Sequence, residues 1–117
     1  MNLPHLAPLL YAKEVLSTEN KIASVLCDFD TVPTLSMFVE AAAQSSAAFS
    51  KDEDIKIGFL ILVKNVKLID KLDETKYIFN LTSEVELNNM KQFSFEAFSK
   101  ENNKLVVAGE FTISIQI

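Results

Sequence analysis

The sequence has no tryptophan, one cysteine, one histidine and two glycines in 117 residues. Arginine is absent too, since all 11 basic residues are lysines. The rigid two-pronged guanidinium that suits phosphates and base edges is therefore missing. With a net charge of -5, this argues against nucleic acid as a partner. The single Cys27 cannot close an internal disulfide, and one cysteine with one histidine is too few for a structural zinc site, so no metal is expected. A reducing, cytoplasmic setting fits. The longest apolar run, Gly58 to Val63, is far short of the roughly 20 residues that span a bilayer, so no membrane span is expected. Pro4 and Pro8 interrupt the opening MNLPHLAPLLYAKEV, which does not read as a signal peptide.

What is present is the composition of a packed domain, 49% hydrophobic and 23% charged, which excludes disorder. Residues 1–117 read as a single domain, near the size at which a partner subunit helps to bury surface.

The chain is organised around Thr34 to Phe49, TLSMFVEAAAQSSAAF, the only long segment that reads as a buried helix. Its apolar positions Leu35, Phe38, Val39, Ala42, Ala43 and Ala47 wrap a broad face, and alanine has the best intrinsic helix propensity. Glu40 and Gln44 lie one helical turn apart on it. Pro33 is expected in the first helical turn.

Strand-like sequence flanks this helix on both sides. Leu9 to Leu16 reads as a first strand, Ser17 to Asn20 as a turn, and Lys21 to Phe29 as an antiparallel second strand. Ile55 to Ile69, rich in β-branched residues, reads as a long strand bent at Lys64 and Asn65. After a turn at Asp70 to Glu74, the residues Tyr77, Phe79, Leu81, Ser83, Val85 and Leu87 share one face. Met90 to Ser99 and Leu105 to Ile117 alternate in the same way. The order is β, β, α and then four β, an α+β fold with a long antiparallel sheet wrapped around one helix.

Two segments, LPHLAPLLYAKEVL and VPTLSMFVEAAAQSSAA, resemble the hotdog-fold β-hydroxyacyl-ACP dehydratases. That family opens on a Leu-Pro-His segment leading into a Leu-Leu-Val-Asp strand, and its central helix carries Glu-Ala-x-Ala-Gln. The matching residues here are Leu3, Pro4 and His5, Leu9 to Ala12, and Glu40, Ala41, Ala43 and Gln44. GFLILVKNVKLIDKL, Gly58 to Leu72, is similar to the strand through which such proteins join two subunits into one sheet.

The resemblance implies a homodimer or higher even oligomer through the Ile55 to Ile69 strand. Its ligand would be an acyl chain on a pantetheine thioester, carried by an acyl carrier protein or coenzyme A, in a tunnel between helices and sheets. No further cofactor is implied. Dehydration of a 3-hydroxyacyl thioester needs one group to take the α-proton and another to protonate the leaving hydroxyl. The resemblance gives Glu40 as the catalytic carboxylate, and His5 is the one histidine available to partner it. Gln44, Phe38, Gly58 and Phe59 are the corresponding substrate-binding candidates.

The match breaks at the catalytic histidine, which in the family lies in a Gly-His-Phe-Pro loop. Here Cys27 to Pro33, CDFDTVP, has neither glycine nor histidine, and Pro33 stands one residue further from Glu40 than the family's proline stands from its glutamate. The expectation is an acyl-thioester-binding hotdog protein without standard dehydratase activity. One alternative is an active dehydratase (a lyase) or thioesterase in which Glu40 works with water, His5 or a backbone amide. Another is a purely structural dimer or complex subunit with a filled core.

Each candidate also has a plainer role. Glu40 can be a helix residue at a subunit boundary, Gln44 a buried amide satisfying backbone groups, and His5 a ring packed on the first strand. Cys27, imagined as a nucleophile, reads better as a small buried hydrophobe. The phenylalanines Phe79, Phe93, Phe95, Phe98 and Phe111 read mostly as core. Lys56, Lys64, Lys67 and Lys71 form either a solvated face or a docking face for an acidic carrier.

Overall fold

The computed structural model describes residues 11–49 and 58–115. Six strands and one helix follow in the order β1 (Ala12–Glu19), β2 (Ile22–Asp28), α1 (Leu35–Ser45), β3 (Gly58–Leu68), β4 (Lys76–Leu87), β5 (Met90–Ser99) and β6 (Leu105–Ile115). They form one antiparallel sheet in the spatial order β1-β2-β4-β5-β6-β3. The α+β reading therefore holds. Only the link from β2 to β4 and the placement of β3 on the far edge are non-sequential, and both follow from inserting the helix between β2 and β3.

Thr34 caps α1, its Oγ1 accepting from the Met37 N–H at 3.3 Å. This gives one orphan donor of the first turn a partner. Pro33 thus lies before the cap and not in the first turn. The regular helix also stops at Ser45, and Ser46–Phe49 continue as a tighter 3-10 turn. At this end the Ser46 hydroxyl donates to the Ala43 carbonyl at 2.6 Å. Serine side chains offer the backbone an alternative to the α ladder, which accounts for the change of pitch.

The helix buries Phe38, Ala41, Ala42 and Ser45 against the sheet, a spacing of three and four residues that keeps one stripe inward. Alanines at the contact let the helix lie close to the strands. Of the expected apolar positions, Val39, Ala43 and Ala47 are only half-buried and Leu35 is exposed. Above the helix the inner strand positions supply Val25, Tyr77, Phe79, Leu81, Phe93, Phe95, Val107 and Phe111, all buried. Eight rings connect Tyr11 to Phe49 through Phe29, Phe38, Phe79, Phe95, Phe111 and Phe93, with centroids 4.8 to 6.0 Å apart. Offset and tilted contacts of this kind add to the burial term.

Two departures from simple alternation have a common cause. Val85 and Leu87 were expected inward with Leu81, but they are exposed. The ladder slips between Ser83 and Val85, so that Ser83 stands opposite Phe93 while Val85 stands opposite Gln92. One extra residue moves every later side chain to the other face. In β3 the expected bend is present: Asn65 has φ 57 and the register with β6 shifts between Lys64 and Lys67. The first strand, expected from Leu9, begins at Ala12 and runs on through Glu19; Leu9 and Leu10 lie outside the described residues. The hairpin turn follows at Asn20, with φ 27.

Candidate functional site

The site suggested by the sequence centres on α1, and its best-defined group is Gln44. This residue is 1% exposed. Its Oε1 accepts from the backbone N–H groups of Tyr11 at 2.7 Å and Ala12 at 3.2 Å. The helix thereby holds the start of β1, where the strand ladder alone does not provide for those donors. A buried amide must find such partners, so the carbonyl end of Gln44 is committed to the backbone. Glu40, one turn earlier, is half-buried on the side of α1 that carries Ala43 and Ala47.

Phe38 is fully buried. Its ring lies 5.3 Å from Phe29, 4.8 Å from Tyr77 and 5.3 Å from Phe79, inside the aromatic core. Gly58 and Phe59 open β3, opposite Ile115 and Ser114 of β6. His5 and Lys56 lie outside the described residues, as does the ring of Phe59.

The connection from β2 to α1 stands where the dehydratase family has its histidine loop. Here it is short and pinned. The Asp28 N–H donates to the Tyr11 carbonyl at 2.9 Å and the Phe29 N–H to the Thr75 carbonyl at 2.8 Å, while the Phe29 ring is buried in the core. The segment thus contributes a core ring and no imidazole.

Cys27 is buried, with its Sγ 3.4 Å from the Ser45 hydroxyl, which itself donates to the Ala41 carbonyl at 2.7 Å. Burial pushes its thiol from 9.0 up to about 12, against a smaller lowering by Ser45. A thiol kept protonated and out of solvent is no nucleophile. Tyr77 is likewise raised, mainly by burial; its hydroxyl donates to the Glu74 carbonyl and accepts from the Glu74 N–H, both at 3.0 Å. No group of three histidine, cysteine or carboxylate side chains among the described residues could hold a metal ion.

A polar depression of about 180 Å³ lies at the turn before β4, lined by Asp70, Asp73, Glu74, Ser99, Asn102 and Lys104 among others. No residue of α1 lines it. Sequence reading missed it because it is assembled from two turns distant in the chain, with Ser99 donating to the Glu74 carboxylate at 2.6 Å. None of the helices among the described residues is long and apolar enough to cross a membrane.

No family model matches the sequence, and no curated protein matches it significantly. Solved structures do match in shape. The dehydratase heterocomplex ApeI:P from Xenorhabdus doucetiae superposes with a TM-score of 0.81 at 13% identity, covering 98% of this chain and 88% of that one. An HP0420 homologue from Helicobacter felis gives 0.69 at 20% identity, with 97% and 94% covered. A mutant of the thioesterase SAV0944 from Staphylococcus aureus gives 0.66 at 10% identity, with 89% and 93% covered. These structures and this one share one central helix against a wrapped antiparallel sheet, and by that architecture the chain is a hotdog-fold protein.

Proposed function

We propose that the protein binds an acyl thioester, carried on coenzyme A or an acyl carrier protein, as a homodimer joined through β3, and that it does so without the glutamate and histidine chemistry of the dehydratases. The observation that carries this reading is the open side of the protomer. The β3 edge presents Leu60, Ile61, Leu62 and Val63 to solvent, with Ile61 and Leu62 each 51% exposed. On the helix, Glu40, Val39, Ala43 and Ala47 are only half covered by the described part of the chain. An unpaired apolar edge seeks a strand, and a second copy offers the same edge in return.

Fold alone carries no activity, but two structural neighbours are named as a dehydratase complex and a thioesterase, and the second name is that of a thioester chemistry. The pinned segment after β2, with Phe29 in the core, supports loss of the standard dyad. Glu40 is then the polar group on the half-covered face of α1, where it orients the thioester or its pantetheine amide groups. A cytoplasmic setting agrees with a single, protonated, buried thiol.

Burying an acyl chain contributes about 0.8 kcal/mol per methylene, or about a fourfold gain in affinity for each. Calorimetric titration with coenzyme A and its butyryl, hexanoyl and octanoyl thioesters should therefore show affinity rising with chain length. Equal affinity for the free cofactor and all three thioesters would sink the reading. Turnover of hydroxyacyl or acyl thioesters that disappears in Glu40→Ala would instead establish an active enzyme. A second reading, a structural subunit, is favoured by one observation: the ring series from Tyr11 to Phe49 fills the space between helix and sheet.

A further inference from the structure

The face of the sheet turned away from α1 carries an apolar patch near the β4–β5 turn. Because the ladder slips after Ser83, Val85 stands opposite Gln92 and Leu87 opposite Met90. Phe93 is buried on the inner side, so its neighbour Gln92 and the residues in step with it point outward. Ile22 joins them from β2, opposite Thr82. Leu87 is 66% exposed, Ile22 55%, Val85 51% and Met90 47%. The whole of β6 lies between these side chains and β3.

The margin of the patch carries both charge signs. Lys91 pairs with Glu86 at 3.1 Å, and the Glu84 carboxylate accepts from Ser94 at 2.7 Å. At the β1–β2 turn the exposed Glu19 stands opposite Ile22, and the exposed Lys21 precedes it. Among the described residues neither makes an ion pair. One carboxylate and one ammonium beside the same apolar side chain complement themselves under a two-fold rotation, which sets each against the other in a second copy. A strongly acidic or basic partner would be attracted by one and repelled by the other.

We infer that the patch of Ile22, Val85, Leu87 and Met90 is a contact between two copies of this chain, separate from the β3 edge, with Glu19 of each copy facing Lys21 of the other. The four side chains expose roughly 400 Å², the size of patch that marks an interaction site. With Thr82, Gln92 and the β1–β2 turn around them, two copies bury roughly 1,000 Å² in all, the low end for a specific contact. The association is therefore weak and concentration-dependent. It adds to the proposed β3 dimer without needing it: dimers associate where that dimer forms, and single chains pair where it does not.

Sedimentation of the full chain over a wide concentration range tests this. The mass should at least double from the lowest concentration to the highest. Leu87→Lys, which sets like charges against each other across the contact, should hold it at the low-concentration value. Leu87 is exposed, so this variant should keep the wild-type Tm at low concentration, which separates loss of contact from loss of fold. Charge exchange tests the facing pair. Glu19→Lys and Lys21→Glu should each raise the Kd of this association about threefold or more, and the double exchange should restore it to within about twofold. A mass that follows concentration equally in wild type and Leu87→Lys overturns the inference, as does a mass constant in both, or a double exchange no better than the single ones. An association that survives Leu87→Lys and is lost in Leu62→Lys belongs to β3; it overturns this contact and leaves the β3 dimer standing.

Discussion

Replacing Gln44 by methionine keeps length and volume but removes the acceptor of two backbone donors. The Tyr11 and Ala12 N–H groups, at 2.7 and 3.2 Å from Oε1, lose their partner at a site where Ala12 is 1% exposed. Leaving a buried donor unsatisfied costs about 1 to 3 kcal/mol. Because Tyr11 is only half-buried and can recruit water, the sum is about 2 to 4 kcal/mol. That is a large share of the roughly 5 to 15 kcal/mol that holds a domain together. For a chain of this size it lowers Tm by about 10 °C or more. Urea unfolding followed by circular dichroism measures it, run at several protein concentrations to separate folding from association. Loss of less than about 0.5 kcal/mol, with acyl-thioester affinity falling instead, would refute the structural role of Gln44.

Phe38→Ala should cost about 3 to 5 kcal/mol, because it removes a fully buried ring touching three others; a variant of wild-type stability with altered ligand binding would show that the ring serves the ligand instead. The Cys27 thiol, pushed up to about 12 by burial, should resist iodoacetamide at pH 8 in the native state and react once urea unfolds the chain; rapid native labelling would contradict its burial. The same shift sets a pH dependence. A raised folded-state value leaves stability intact below the ordinary thiol range and lowers it as pH rises toward about 12, by at most about 1.4 kcal/mol per pH unit. Cys27→Ala should make that slope shallower, leaving the part of the same sign that comes from Tyr77, which burial also raises.

Much of the fold was legible because periodicity reports burial directly. Alternation in Tyr77, Phe79 and Leu81, in Phe93 and Phe95, and in Phe111 and Ile113 placed each of these inside, where all are buried. The bend in β3 was legible from Lys64 and Asn65, since asparagine tolerates positive φ. Val85 and Leu87 were misplaced because a bulge at Ser83 has no signature in the alternation it interrupts. The helix end was overextended because Ser46 to Phe49 carry the same residue types as the α turn they replace.

The site was less legible, for a physical reason. Helical spacing put Glu40 and Gln44 on one face but could not say that Gln44 reaches across 32 residues to the backbone of β1. Nor could the missing histidine loop show what stands in its place. The structure answers with Phe29, whose ring joins Tyr11 to Phe38.

In the proposed function two copies share a sheet through β3 and hold an acyl thioester. Native mass spectrometry of the full chain with octanoyl-coenzyme A tests both halves together. The expected result is a dimer, or a higher even oligomer, that retains the acyl thioester and loses it when Leu62, on the proposed edge, is replaced by lysine. A monomer that retains no acyl ligand at any thioester concentration would contradict it.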